Sequence, residues 1–211
     1  MHYVSRIDHA WARTPALYEG HSAGFTRAGY VDRGMGSVHM GVGVCMLEPR
    51  GAVEQHRHSF EESFYILEGT ARLEAGEKTQ ELGPGHFGLI RTGTPHAWSN
   101  AGDGPVRWLE MQAPQPRTSQ LGDEDPAAGP DTFFVREASG GEEPLLGYFD
   151  EAQLPQPGGL SQMEGFNPTT GVAIKMFVDR SFGAIHQSLF LIQYMPGRRS
   201  IRTIIRSRSR I

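Results

Sequence analysis

Short apolar-alternating runs, each closed by a turn carrying Gly or Pro, occupy residues 37–111 and restrict the chain to strands rather than long helices. Residues 37–47 read as a strand with Val38, Met40, Val42, Val44 and Met46 on one face. A turn at Pro49-Arg50-Gly51 follows. Residues 63–67 and 71–74 flank the turn Glu68-Gly69-Thr70, and Leu82-Gly83-Pro84-Gly85 precedes a strand over 87–90. Segments 97–100 and 106–111 complete the series, and no amphipathic helix is expected anywhere. Short strands at such spacing belong to a sandwich or a barrel. With 27 Gly and 14 Pro among 211 residues, composition agrees.

The single cysteine, Cys45, rules out an internal disulfide and reads as core filling. No apolar run reaches membrane-span length, and residues 1–16 lack the apolar centre of a signal peptide, so a cytoplasmic protein with no membrane partner is expected. Six arginines (198, 199, 202, 206, 208 and 210) crowd the last fourteen residues; without them the net charge of −4 becomes −10. That balance argues against nucleic acid as a partner of the body.

The run Gln55-His56-Arg57-His58-Ser59-Phe60-Glu61-Glu62 carries the chemistry. Alternate side chains on a strand share a face, so His56 and His58 stand roughly 6–7 Å apart at their roots and can lean onto one ion. Glu62 brings a carboxylate after a short bend, and His96 closes the set from a later hairpin, residues 94–100. Three nitrogens and one oxygen suit one divalent ion (Fe, Mn, Zn, Ni or Co) with positions left for substrate. Among the neighbours, Trp98 should share the cavity and could stack on a planar substrate or simply pack. Arg91 could orient an anionic group or lie solvated at the rim. Glu61 should turn away from the site to the surface, and Tyr65 toward an outer layer. His39 and His186 suggest a shared structural role, and His86 should be exposed in its turn. None is a clear general base.

These residues resemble the cupin superfamily. His56, His58, Glu62 and Gly69 fit its first motif, G-x5-HxH-x3,4-E-x6-G, with Gly51 one residue close; Gly85, Gly93, His96 and Asn100 fit the second, with Arg91 where the family usually has Pro. The resemblance covers roughly residues 37–112. It implies an all-β double-stranded β-helix, a jelly-roll barrel, with a metal near its mouth. Enzymes of many kinds share that fold, so chemistry does not follow from it. The leading expectation is a metal-dependent dioxygenase acting on a small polar or aromatic metabolite. The alternatives are a Mn or Zn aminohydrolase or isomerase of the ureidoglycine-processing bicupin type, a non-catalytic ligand-binding cupin, and an inactive truncated product. A homodimer through exposed strands is expected from the resemblance alone.

The domain plan is a barrel over 1–112 (motif core 37–112), a linker over 113–132 rich in Pro, Gly, Asp and Gln, and a partial second copy over 133–211. Val31-Asp32-Arg33, Gly36, His39 and Pro49 recur as Val178-Asp179-Arg180, Gly183, His186 and Pro196, all offset by 147 across nineteen positions. The basic tail, 198–211, interrupts the repeat. It could serve nucleic acid or a membrane surface, but a frameshift is preferred. With G/C-leaning codons, reading from the last base of the Ser200 codon turns the tail into His-Pro-His-Asp-His-Pro-Phe-Glu-Glu-Ser-Tyr. The expected whole is therefore a barrel followed by an incomplete second copy.

Overall fold

The computed structural model describes residues 12–116, 131–136, 141–154 and 172–194. Most of the expected linker and all of the basic tail lie outside the described residues. Among the described residues the architecture is all-β, with only three single-turn 3-10 segments, and no helix is long and apolar enough to cross a membrane.

Ten strands form one curled antiparallel sheet. They are β1 (Ser22–Val31), β2 (Gly41–His58), β3 (Glu61–Glu68), β4 (Ala71–Ala75), β5 (Lys78–Leu82), β6 (His86–Ile90), β7 (His96–Asn100), β8 (Val106–Ala113), β9 (Thr132–Phe134) and β10 (Leu145–Tyr148). The long β2 organises them. Its first part pairs with β8 through Gly41↔Gln112 to Leu47↔Val106, its second with β7 and β9, and β1 runs along it. The expected turn at Pro49-Arg50-Gly51 is a bend within β2, with Arg50 at φ +65, and the pairing to β1 slips there between Ala23 and Phe25. One strand thus serves two walls, which curls the sheet.

Strand alternation decides what the curl encloses. Phe25, Cys45, Leu47, Val53, Phe64, Ile66, Ala71, Leu73, Ile90, Trp98, Val106 and Trp108 pack as a single cluster inside. On β2, Gly43, Cys45 and Leu47 reach the core, Cys45 as expected, whereas of the five residues read as one face Val44 is buried, Val42 and Met46 are half-buried, and Val38 and Met40, outside the strand, are exposed. Tyr65 faces outward as expected, against Phe177 at 5.3 Å. His86 is half-buried rather than exposed, since its ring lies 4.9 Å from Tyr148 and its Nδ1 against the Gly83 carbonyl.

Residues 132–134 and 145–148, which follow the expected linker, add strands β9 and β10 to the barrel sheet. Two further strands, β11 (Val172–Val178) and β12 (Leu189–Tyr194), pair with each other as a separate sheet. The chain divides into two compact units: described residues through Phe149 together with Phe177–Leu189, and the described residues of 150–176 and 190 onward.

Candidate metal centre

Antiparallel pairing sets His56 of β2 directly opposite His96 of β7, and His58 lies two residues along β2 on the same face. Glu62 comes from β3, where it pairs with Ile90 and Gln112. All four are buried, and ligand atoms of the three histidines lie within 4.8 Å of one another, a cluster that could hold a metal ion. The Glu62 carboxylate stands 2.9 Å from His58 Nε2 and 3.7 Å from His96 Nε2.

Each imidazole is held from behind. His56 Nδ1 lies 2.7 Å from the Glu54 carbonyl and His96 Nδ1 3.0 Å from the Thr94 carbonyl. A carbonyl only accepts, so both Nδ1 atoms carry the proton and both Nε2 atoms present lone pairs. His58 Nδ1 meets the Thr132 hydroxyl of β9 at 3.2 Å, and its ring stacks on Phe60 at 4.3 Å. The Nε2 atoms of His58 and His96 are buried without a hydrogen-bond partner, despite the nearby carboxylate. When His58 Nδ1 donates to the Thr132 hydroxyl, the Nε2 atoms and the carboxylate are all electron-pair donors, a set that fits a shared cation.

Electrostatics agree. Burial lowers the His56 imidazole well below its ordinary range, and the neighbouring His96 and His58 push it further; burial also lowers His58, against the pull of Glu62. Burial alone would raise the Glu62 carboxyl, but the adjoining His58 and His96 outweigh it and hold it far below the usual carboxylate range. Burial thus favours neutral His56 and His58 beside a Glu62 carboxylate, the protonation states that ligation requires.

A small cavity, about 10 Å³ for the centre of a water, adjoins the cluster between Tyr18, Phe25, Val53, His56, Glu62, Trp98, Trp108 and Glu110. That is room for about one water. Trp98 lines it as expected and stacks on Trp108 at 5.2 Å. Arg91 does not: it pairs with Glu142. A larger open depression bordered by Leu73, Lys78, Gln80, Glu143 and Leu146 shares no residue with the histidines.

Glu61 overturns a sequence expectation. It does face away from the histidines, but it is only 2% exposed, because residues 177–189 cover it. Its carboxylate accepts from the backbone N–H groups of Ile185 (2.9 Å) and His186 (2.9 Å), and beside it the Ser63 hydroxyl donates to Gln187 Oε1 at 2.9 Å. Sequence reasoning also missed the buried ion pair between Arg27 and Glu110 inside the barrel. Burial raises the Glu110 carboxyl against the opposing Arg27 guanidinium. Alternation through Val106, Trp108, Glu110 and Gln112 marks Glu110 as inward-facing; for Tyr18 and Arg27 the sequence carried no comparable signal.

Residues 43–111 match the cupin domain family. No curated protein matches the chain significantly. Among solved structures it is similar to the polyketide cyclase RemF from Streptomyces resistomycificus, at 23% identity and TM-score 0.47, covering 54% of this chain and 81% of that one. Oxalate decarboxylase from Bacillus subtilis matches at 19% identity and TM-score 0.43, over 53% of this chain and 28% of that one. A cupin-2 domain from Rhodospirillum rubrum matches at 18% identity and TM-score 0.43, over 56% and 70%.

Proposed function

From the premise that residues 43–111 are a cupin domain, we propose that His56, His58, Glu62 and His96 hold one divalent metal ion and that the chain is a dioxygenase for a small polar or aromatic metabolite. The observation that carries this reading is the convergence of His56, His58 and His96 ligand atoms within 4.8 Å of one another beside the Glu62 carboxylate, with no aligned hydrogen bond at the Nε2 atoms of His58 and His96. Leaving such atoms unsatisfied costs about 1–3 kcal/mol each, and ligation removes that cost. Iron or another redox-active first-row ion bound there supplies substrate chelation and activation of dioxygen.

The chain's own residues do the rest. The carbonyls of Glu54 and Thr94 fix the tautomers of His56 and His96. Three neutral imidazoles and one carboxylate leave a net charge of about +1 on a divalent ion, which favours an anionic substrate oxygen. Phe25, Trp98 and Trp108 wall the adjoining cavity with aromatic surface and limit the water admitted. A second reading, a Mn or Zn aminohydrolase or isomerase, draws support from that same cavity, whose single-water room borders both Glu62 and Glu110.

Elemental analysis of wild type and His58→Ala tests the centre: a variant that retains its metal would remove the reading. Oxygen uptake with catechols or hydroxyaromatic acids tests the reaction. Metal-dependent turnover without oxygen uptake would favour the second reading, and metabolite binding without turnover a non-catalytic cupin.

A further inference from the structure

The 147-residue repeat extends to atomic detail. In the connection from β1 to β2, the Asp32 carbonyl accepts from Ser37 N–H at 3.0 Å, the Arg33 carbonyl from Gly36 N–H at 2.8 Å, and the Asp32 side chain from Met35 N–H at 3.3 Å. In the connection from β11 to β12, the Asp179 carbonyl accepts from Ala184 N–H at 2.9 Å, the Arg180 carbonyl from Gly183 N–H at 3.2 Å, and the Asp179 side chain from Phe182 N–H at 3.0 Å. Each of these three donors and its acceptor in the second turn lies 147 residues after its counterpart, and the second turn adds bonds from the Ser181 N–H and hydroxyl to the Asp179 carboxylate. Gly36 and Gly183 both sit in the left-handed region, at φ +82 and +106, where a side chain would be strained.

The same offset relates the two faces. Arg27, Gly43, Cys45 and Leu47 point into the barrel and are buried. Their counterparts are Ile174, Phe190, Ile192 and Tyr194, which are 40%, 43%, 39% and 58% exposed. The first hairpin is covered because β8 pairs along β2 and brings Val106 and Trp108 onto Cys45 and Leu47. Among the described residues, β12 pairs with β11 only. Among the described residues, the second hairpin therefore presents the face equivalent to the inner wall of the first with no strand lying against it.

With the same G/C-leaning codons, the shifted reading of the tail supplies candidates for those strands. The second and third of its three histidines, its phenylalanine, paired glutamates and serine fall 147 residues after His56, His58, Phe60, Glu61, Glu62 and Ser63. We propose that β11–β12 is the opening hairpin of a second cupin barrel, and that its apolar face is an interior wall covered by strands encoded in the shifted frame, which repeat β2–β8. The clasp at Glu61 then becomes reciprocal. Ile185 and His186, whose N–H groups Glu61 receives, correspond to the exposed Val38 and His39. With the codons of that reading, the shifted frame places a glutamate at the counterpart of Glu61, where it would receive that segment in turn.

The base sequence from codon 195 onward is the first test, and it does not depend on anything folding. An open shifted frame with strand-like alternation supports the proposal; an early stop or a frame without alternation overturns it. A one-base insertion ahead of codon 201 restores the frame, and the restored chain is compared with the chain as it exists. Amide exchange over 172–176 and 189–194 should slow by about a hundred-fold or more, and binding of a hydrophobic dye should fall by about ten-fold. Unchanged exchange in a folded restored chain overturns the proposal. So does a dimer of the existing chain that Ile192→Glu dissolves, which would assign the face to a second copy.

Discussion

Two hairpins of this chain share a turn and differ in everything built on it. The β1–β2 hairpin buries Arg27, Cys45 and Leu47, while β11–β12 leaves Ile174, Ile192 and Tyr194 at the surface. The Asp side chain, the left-handed Gly and the repeated backbone hydrogen bonds are local, and they suffice to reverse the chain in both places. Burial is not local. It needs strands from more than fifty residues further on, as when Val106 pairs with Leu47.

The comparison breaks most sharply at the proposed ligands His56 and His58, which continue the first hairpin and have Thr203 and Ile205 at the equivalent positions of the sequence. His58→Ala should lose bound metal by more than the roughly 10–100-fold typical of outer-shell changes, read as metal per chain after dialysis. At the next pair of equivalent positions, Arg27→Ala strands the Glu110 carboxylate in the barrel and should cost about 3–5 kcal/mol, whereas Ile174→Ala should stay within about 0.5 kcal/mol. Leu47→Ala should cost about 2–5 kcal/mol and its counterpart Tyr194→Ala again about 0.5 or less. Denaturant midpoints at matched slope check both pairs, and equal effects within a pair would void the distinction. Glu61→Ala should loosen residues 177–189 by about 1–3 kcal/mol with metal content unchanged, read by amide exchange over that segment.

The smallest effect is a pH dependence of the metal-free barrel. His56 and His58 are lowered in the folded chain, so the unfolded chain binds more protons as pH falls below their ordinary value, about 6.5. Their contribution is complete above that pH and is lost on going below it. Glu62, also lowered, adds a loss nearer the ordinary carboxylate range. Thermal midpoints without metal should decline from about pH 7 to 5; a flat profile would show that the imidazoles take up protons with little penalty.

Much of the first barrel was legible because alternation and turn residues are local signals. Strands over 61–68, 71–75, 86–90, 96–100 and 106–113 lie where the runs between turns put them. β1 was not legible: Gly24, Arg27 and Gly29 interrupt its apolar pattern. Its logic is a contact across strands, since a Cβ on Gly43 would come within 2.7 Å of the Arg27 guanidinium carbon, and only glycine leaves that passage open. β5 was missed because Lys78, Thr79, Gln80 and Glu81 are exposed and give no apolar alternation. For Glu61 the local parity was read correctly, yet its burial depends on a segment more than a hundred residues away.

By itself the sequence determined which side chains could act as ligands and on which strands they stand, because a period of two and the spacing of turns are properties of a short stretch of chain. It also showed that residues of the turn after β1 recur 147 positions later. Only the tertiary structure decided that the histidines of β2 and β7 meet in one register, that a charged pair fills the barrel beside them, and that one of two equivalent faces is covered. Those outcomes depend on which distant strands close over a surface, and desolvation by such strands is a property of the assembled barrel rather than of any segment within it.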